Sequence, residues 1–182
     1  YEEIGRPAFE ARIPELIPRM AAGLCGEGSE CFGRDVEISR DHDWGPGFCI
    51  WLTQEDFLSY GEEANKIYHE LPGTFCGYRR VDSCPQAADR VGVFSISGFY
   101  QGLLGKGWDP KTLEDWYGLP AHGLSAATNG RVFWDGPGAF TRHRQRLLGY
   151  YPKEIRDKKM ASACFYMAQA GQSNLPHGVK IS

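Results

Sequence analysis

Short hydrophobic runs, separated by turn residues, mark the first half of the chain. Residues 19–25 and 90–96 are apolar runs that each predict a short buried strand. Residues 41–52 predict another strand, with a bulge or kink where the glycines of Gly45-Pro46-Gly47 interrupt it. Since the polar residues around these runs are typical of turns and loops, we expect a sheet built from several short strands.

Helical patterns occupy most of the remaining chain. Thr53 followed by Asp56 is a capping box, which predicts a helix over about 54–70. Asp109-Pro110 is typical of an N-cap followed by proline at the first helical position. The later predicted elements are helices over 120–128, 139–148 and 152–170 and a strand over 131–134. The order indicates an α+β protein: a strand and helix core over 1–106, followed by a mainly helical subdomain over 107–182.

Composition places the chain among globular proteins. It has 182 residues, of which 42% are hydrophobic and 24% are charged, values that exclude a disordered chain or a coiled coil. Its apolar runs are far shorter than the roughly 20 residues of a membrane span, so we expect no membrane partner. Six scattered cysteines and an N-terminus without a signal pattern predict reduced thiols in the cytoplasm.

The charges are distributed unevenly. Residues 27–70 hold eleven acidic residues and three basic ones, whereas residues 142–159 hold seven basic residues and two acidic ones. An acidic block followed by a basic block suits a site where a cation screens the acids and the bases hold phosphate. Two solvated helix faces would give the same pattern.

The most informative motif is Gly28-Ser29 followed, after eleven residues, by Asp41 and Asp43. Two carboxylates at positions i and i+2 of a strand point to the same face, where they can share a hard cation such as Mg²⁺. A Gly-Ser turn offers backbone N–H groups and a hydroxyl to phosphate oxygens. Together they are typical of phosphoryl or nucleotidyl transfer.

This motif resembles the fingerprint of the nucleotidyltransferase superfamily, which has the polymerase-beta-like fold. The longer strings Ala21-Ala22-Gly23-Leu24 and Ile38-Ser39-Arg40-Asp41-His42-Asp43-Trp44-Gly45-Pro46 resemble an uncharacterised bacterial family, catalogued as a domain of unknown function, within that superfamily. Further pieces that resemble it are Arg90-Val91-Gly92-Val93, Ala127-Thr128-Asn129-Gly130, Tyr150-Tyr151-Pro152 and Met167-Ala168-Gln169. Members usually continue into further helices, so the resemblance implies that this chain represents part of one.

The resemblance implies a mixed sheet that carries the metal-binding acids and a helical subdomain that closes over the nucleotide. Gly28 and Ser29 would then hold the triphosphate, and Asp41 and Asp43 would hold Mg²⁺ and take part in catalysis. The superfamily commonly adds a third acid from a neighbouring strand. The predicted strand 90–96 has a glycine at its centre, so the nearest candidate is Asp89 at its edge, with Asp82 and Asp135 as more distant candidates.

The basic helix at the C-terminus could form the far wall of a nucleotide cleft. There a tyrosine would contact the base and lysines would contact phosphate; the candidates are Tyr151, Lys153, Lys158 and Lys159. Alternatively, Ile155, Ala161 and Phe165 form a core stripe and the lysines simply face water.

Other assignments of the acidic segment are weaker. Asp35 and Glu37 form a second acidic pair, but only five residues separate Ser29 from Asp35, and we interpret these two acids as solvated loop residues. His42 with Asp43 resembles the pair found in metal phosphohydrolases, which also need further histidines at ligand spacing.

The sequence therefore predicts a Mg²⁺-dependent nucleotidyltransferase that moves a nucleoside monophosphate from a nucleoside triphosphate, with ATP as the first choice. Its acceptor is a small molecule, a protein or RNA. The alternatives are a catalytically silent nucleotide-binding or interaction module, suggested by Gly92, and, less favoured, a hydrolase built on His42 and Asp43.

Overall fold

A computed structural model describes residues 1–33, 45–81, 90–149 and 151–173, with side chains up to residue 170. The fold is α+β. Its strands are β1 (Met20–Leu24), β2 (Cys49–Leu52), β3 (Thr74–Phe75), β4 (Tyr78–Arg79), β5 (Gly92–Ser95) and β6 (Arg131–Asp135). Its α-helices are α1 (Gly5–Arg12), α2 (Gln54–Glu70), α3 (Ile96–Leu104), α4 (Leu113–Gly118), α5 (Ala121–Thr128), α6 (Ala139–Leu148) and α7 (Lys153–Ser173).

Four strands form a mixed sheet in the order β5-β2-β1-β6. Strand β1 is antiparallel to both β2 and β6, and β2 is parallel to β5. The C-terminal half of the sequence thus supplies an edge strand, β6, to the sheet begun by β1. Strands β3 and β4 form a separate two-stranded hairpin.

The register brings four strand ends together. Gly23 pairs with Cys49, and Cys49 pairs with Gly92. Leu24 pairs with Arg131. The carboxyl end of β1 therefore lies beside the amino ends of β2, β5 and β6; we call this the turn end of the sheet, since the chain leaves β1 there through Gly28 and Ser29.

Both faces of the sheet are covered because side chains alternate along each strand. On β2, Cys49 and Trp51 face the helices of the C-terminal half, and Trp51 stacks on Phe140 with a centroid distance of 3.8 Å. Ile50 and Leu52 face the opposite way, toward α1 and α2. The sheet is thus the middle layer between two hydrophobic clusters.

Most predicted helices are confirmed. Helix α2 covers 54–70, and the Thr53 side chain accepts a hydrogen bond from the Asp56 N–H. Helix α6 covers the predicted 139–148, and α5 begins one residue later than predicted. These helices carry strong local signals, a cap or a flanking turn, that fix their ends.

Three predictions need correction. The strand predicted over 41–52 is β2 over 49–52; residues 45–48 have no regular structure, and 41–44 lie outside the described residues. The strand predicted over 90–96 ends at Ser95, because the Ser95 side chain caps α3 by accepting from the Gly98 N–H. The N-cap predicted at Asp109 is wrong: α4 begins at Leu113, after a capping box between Thr112 and Asp115.

Among the described residues, no helix combines the length and the apolar character that a membrane crossing requires.

Candidate functional site

The turn that follows β1 carries the predicted phosphate-binding residues. Gly26 has φ +131°, a backbone conformation open mainly to glycine. Ser29–Phe32 form a single 3₁₀ turn, in which the Cys31 N–H donates to the Gly28 carbonyl at 3.0 Å. Gly28 and Ser29 therefore lie in a compact turn at the turn end of the sheet, as their position after a strand predicted.

Glu30 and Arg90 form an ion pair over this turn. Arg90 Nη2 lies 3.0 Å from Glu30 Oε1, and both side chains are largely buried. A β-carbon added at Gly28 would collide with the Glu30 carboxylate, so this carboxylate lies directly against the Gly28 backbone. Arg90, at the amino end of β5, thus brings a positive charge to the turn.

A cleft of about 370 Å³ opens beside the turn. Residues from the turn, from the start of β5 and from α3 line it: Gly26, Glu27, Arg90, Phe94, Phe99 and Gly102. Its turn side is polar and charged, whereas the opposite side presents the rings of Phe94 on β5 and Phe99 on α3. The cleft can therefore accommodate a ligand with a flat apolar part and a charged part.

The predicted metal-binding and catalytic acids lie outside the described residues. These are Asp41, Asp43 and Asp89; the weaker alternatives Asp35, Glu37, His42 and Asp82 lie outside the described residues as well. Within the described ranges, no group of three or more histidine, cysteine or carboxylate side chains is arranged to hold a metal ion.

The described residues that flank these acids are joined to the turn end of the sheet. The Val81 N–H donates to the Pro46 carbonyl at 3.2 Å. The Cys49 thiol donates to the Arg90 carbonyl at 3.5 Å, and Arg90 in turn pairs with Glu30. Of these flanking residues, Arg90 is therefore bonded directly to the Gly28-Ser29 turn, and Pro46 and Val81 are bonded to each other.

Two of the third-acid positions can be assessed. Gly92 is buried and has φ +142°, so a carboxylate-bearing residue there would be strained. Asp135 pairs in register with Ala21, away from the turn end, and its Oδ2 accepts from the Thr141 N–H at 2.7 Å. Asp135 therefore binds a backbone N–H at the start of α6, and Asp89 stays the predicted third acid.

The predicted nucleotide contacts Tyr151, Lys158 and Lys159 lie around the end of α4. Tyr151 is buried, and its hydroxyl donates to the Leu119 carbonyl at 2.8 Å. Lys159 donates to the same carbonyl at 3.0 Å and lies 4.6 Å from the centroid of the Tyr151 ring. Burial raises the pKa of the Tyr151 phenol, which keeps the hydroxyl protonated as a hydrogen-bond donor.

The remaining lysines are also paired within the helical half. Lys158 lies 4.4 Å from the centroid of the Tyr117 ring, and Lys153 pairs with Asp157 at 2.6 Å. In the described part of the chain, no hydrogen bond or ion pair of these lysines reaches the Gly28-Ser29 turn. The structure therefore groups Tyr151, Lys158 and Lys159 with one another rather than with the turn.

The alternative core stripe predicted along α7 is present only at the start of the helix. Ile155 is buried, whereas Phe165 is 60% exposed. Every residue from Met160 to Ala170 is exposed.

Three thiols lie buried at the turn end of the sheet. Burial raises the pKa of Cys25 to about 11 and that of Cys31 to about 12. Cys49 is completely buried, and its thiol pKa is raised as well. These cysteines are hydrophobic core residues.

Sequence patterns missed two polar residues at this site. Arg90 is at the start of a predicted strand, but the local pattern gives no sign of its partner Glu30, 60 residues earlier. Asn129 contacts both backbone groups of Gly26 across 103 residues of sequence. The Asn129-Gly130 dipeptide predicts a turn but gives no sign of its long-range partner.

The C-terminal part of the chain matches a known family. Residues 116–182 match the model described as "Domain of unknown function (DUF4037)". This match confirms, for that part of the chain, the resemblance to a family catalogued as a domain of unknown function. No curated protein and no solved structure matches the chain.

Proposed function

We propose that this chain is a nucleotidyltransferase of the polymerase-beta-like superfamily and belongs to an uncharacterised bacterial family within it. It moves a nucleoside monophosphate from a nucleoside triphosphate, with ATP as the first choice, to an acceptor that is a small molecule, a protein or RNA. The bond between the α-phosphorus and the α–β bridging oxygen breaks, a bond from the acceptor nucleophile to the α-phosphorus forms, and pyrophosphate and the acceptor proton leave.

The convergence of strand ends is the observation that carries the proposal. Gly28 and Ser29 follow the carboxyl end of β1, and the registers bring that end beside the amino ends of β2 and β5. The acids Asp41 and Asp43 precede β2 in the sequence, and Asp89 precedes β5. The connectivity therefore favours a single site that combines a phosphate-binding turn with carboxylates.

The donor set suits Mg²⁺. Asp41 and Asp43 would supply carboxylate oxygens, which are the ligands that this hard cation prefers. When bound, Mg²⁺ neutralises charge on the phosphates and orients the triphosphate.

The cleft beside the turn supports a nucleotide ligand. Phe94 and Phe99 offer apolar surface to a flat ring. Arg90, at the end nearest the turn, would exchange its partner Glu30 for phosphate. Phosphates directed toward Gly28 and Ser29 would meet backbone N–H groups and a hydroxyl. Lys158 and Lys159 stay predicted nucleotide contacts and would have to exchange their present partners on α4 for phosphate.

One observation favours a catalytically silent nucleotide-binding module as the second candidate. Gly92, at the central position of the predicted strand, has φ +142° and cannot be replaced by an acid without strain. If Asp89 does not act as the third carboxylate, the site would bind a nucleotide without transferring it.

The test is label transfer from [α-³²P]NTPs in the presence of Mg²⁺ and a cell extract that supplies acceptors. We expect Asp41→Asn and Asp43→Asn each to abolish transfer, because each removes a charged oxygen ligand. The matched controls are Asp35→Asn and Glu37→Gln, which remove the same charge from the same acidic segment and should retain transfer.

The other outcomes assign the alternatives. Mg²⁺-dependent NTP binding without transfer supports the silent module. Phosphate release that depends on His42 supports a hydrolase and contradicts the proposal. Loss of transfer in the control variants would move the metal site to Asp35 and Glu37.

A further inference from the structure

The turn between α5 and β6 is bonded to the Gly28-Ser29 turn from the distant half of the sequence. The Asn129 side chain accepts from the Gly26 N–H at 3.0 Å and donates to the Gly26 carbonyl at 2.7 Å. The adjacent Gly130 N–H donates to the Cys31 carbonyl at 2.9 Å. The 26–31 segment is therefore bonded on both sides of Gly28 and Ser29 by two consecutive residues.

The turn that makes these bonds is itself fixed. Arg144 Nη2 donates to the carbonyls of Thr128, Asn129 and Gly130 at 2.8, 2.9 and 3.2 Å. Gly130 has φ +66°, and a β-carbon there would collide with the Leu24 carbonyl oxygen. Close approach to the end of β1 therefore requires glycine at this position, and the guanidinium keeps the three carbonyls in one orientation.

The chemistry at position 129 is specific to a carboxamide. Gly26 presents both a donor and an acceptor, and a carboxamide satisfies both at once. An aspartate carboxylate would accept from the N–H but could not donate to the carbonyl. The β1–β6 pairing ends at Leu24, and two residues later the Asn129 side chain makes the two backbone hydrogen bonds that a paired strand would make.

We propose that Asn129 is a positioning residue for the triphosphate; this inference rests on the proposed function. Asn129 does not itself touch the phosphates. Its bonds to Gly26 hold the 26–31 turn, so that the Gly28 and Ser29 backbone and the serine hydroxyl are fixed before phosphate binds. Holding these donors in place before binding lowers the entropic cost of ordering them when the ligand arrives.

The experiment compares the whole chain with its Asn129→Ala variant in two measurements. Calorimetry gives the affinity for Mg²⁺-ATP and for Mg²⁺-tripolyphosphate, which carries the phosphates without base or ribose. Hydrogen–deuterium exchange gives the protection of the amides in 26–31. We expect Asn129→Ala to bind both probes about tenfold more weakly, by a similar factor, and to exchange those amides faster.

Thr128→Val is the matched structural control. It is nearly isosteric and removes the buried bond from the Thr128 hydroxyl to the Leu124 carbonyl, within α5 and directed away from the turn. It should lower the melting temperature yet leave both affinities unchanged. Should Asn129→Ala fail to fold, Asn129→Asp takes its place. It keeps the bond from the Gly26 N–H, loses the donor and adds a negative charge, so the exchange of the amides in 26–31 is then the deciding measurement.

The outcomes separate this inference from the proposed function. The positioning role is overturned if Asn129→Ala binds both probes with wild-type affinity, or if its affinity falls for Mg²⁺-ATP but not for Mg²⁺-tripolyphosphate. Either result leaves the proposed function intact. If Thr128→Val loses as much affinity for the two probes as Asn129→Ala does, Asn129 contributes only to the general stability of the fold, and the positioning role is overturned as well. A wild-type chain that binds neither probe overturns both proposals, whatever the exchange data show.

Discussion

The Gly26–Cys31 turn and helix α7 both carry predicted nucleotide contacts, but they are attached to the molecule in different ways. The turn is bonded to β5 through Arg90 and to the α5–β6 connection through Asn129 and Gly130. Helix α7 is anchored at its first two turns, mainly to α4, and is exposed from Met160 to Ala170. The comparison teaches that precise contacts to a ligand are to be expected at the turn, where long-range bonds fix the backbone.

The largest expected difference is between α7 and the core cluster that supports the turn, which contains Cys25 and Phe140. Phe140 is completely buried and stacks on Trp51, whereas Phe165 on α7 is 60% exposed. We expect Phe140→Ala to lower the free energy of unfolding by about 3–5 kcal/mol and Phe165→Ala to change it by less than about 0.5 kcal/mol. Urea denaturation measures both. Comparable losses would place α7 in the core and contradict the contrast.

Thiol labelling compares the same regions through their chemistry. Cys25, Cys31 and Cys49 are buried, whereas Cys164 on α7 and Cys76 on the β3–β4 hairpin are exposed. In a Cys84→Ser variant, we expect Cys76 and Cys164 to react with a disulfide reagent in native buffer at pH 8 at least a hundredfold faster than the three buried thiols. The buried thiols react slowly because the reagent cannot reach them and because little of the reactive thiolate is present. Burial raises the pKa of Cys25 to about 11 and that of Cys31 to about 12.

The same raised pKa values fix the sign of the pH dependence. The fold favours the protonated thiols, so their contribution to stability is complete below the ordinary thiol pKa and is lost as the pH rises from there through about 11 for Cys25. Urea midpoints measured across this range should fall with increasing pH. Rapid labelling of all five thiols at pH 8 would contradict both expectations.

The smallest predicted effect distinguishes the anchored part of α7 from its solvent-facing side. Lys159→Met removes a bond to the Leu119 carbonyl and two ring contacts, and should cost about 1 kcal/mol of unfolding free energy. Lys153→Met removes only an exposed pair with Asp157, one helical turn away, and should cost about 0.3–0.5 kcal/mol. Thermal unfolding at low and high salt measures both. An equal loss in the two variants would mean that Leu119 does not anchor the helix.

Local signals made several elements predictable from the sequence. Thr53 and Asp56 fix the start of α2, and the Gly138 turn precedes α6. The same type of signal failed at Asp109, because Thr112 and Asp115 form a complete capping box three residues later. Asp109 instead forms ion pairs with Lys111 and Arg146. Competing caps in one short segment cannot be ranked without knowing these partners.

The candidate site was predictable only in part. The sequence indicated Gly28 and Ser29 as phosphate-binding residues, and the structure places them at the end of β1 beside a cleft. The contacts of Asn129 and Arg90 could not be derived, because they join residues 103 and 60 positions apart. No local periodicity records such pairings. The predicted roles of Asp41, Asp43 and Asp89 stay predictions.

The pairing of β1 with β6 has a consequence for biosynthesis. More than a hundred residues separate the two strands, so the ribosome must synthesise β6 before one edge of β1 can form its hydrogen bonds. Until then the nascent chain exposes an unsatisfied strand edge, a feature that promotes association with other chains. Contacts this distant in sequence also slow refolding. We therefore expect polypeptides that end before Arg131 to aggregate on expression, whatever their nucleotide chemistry.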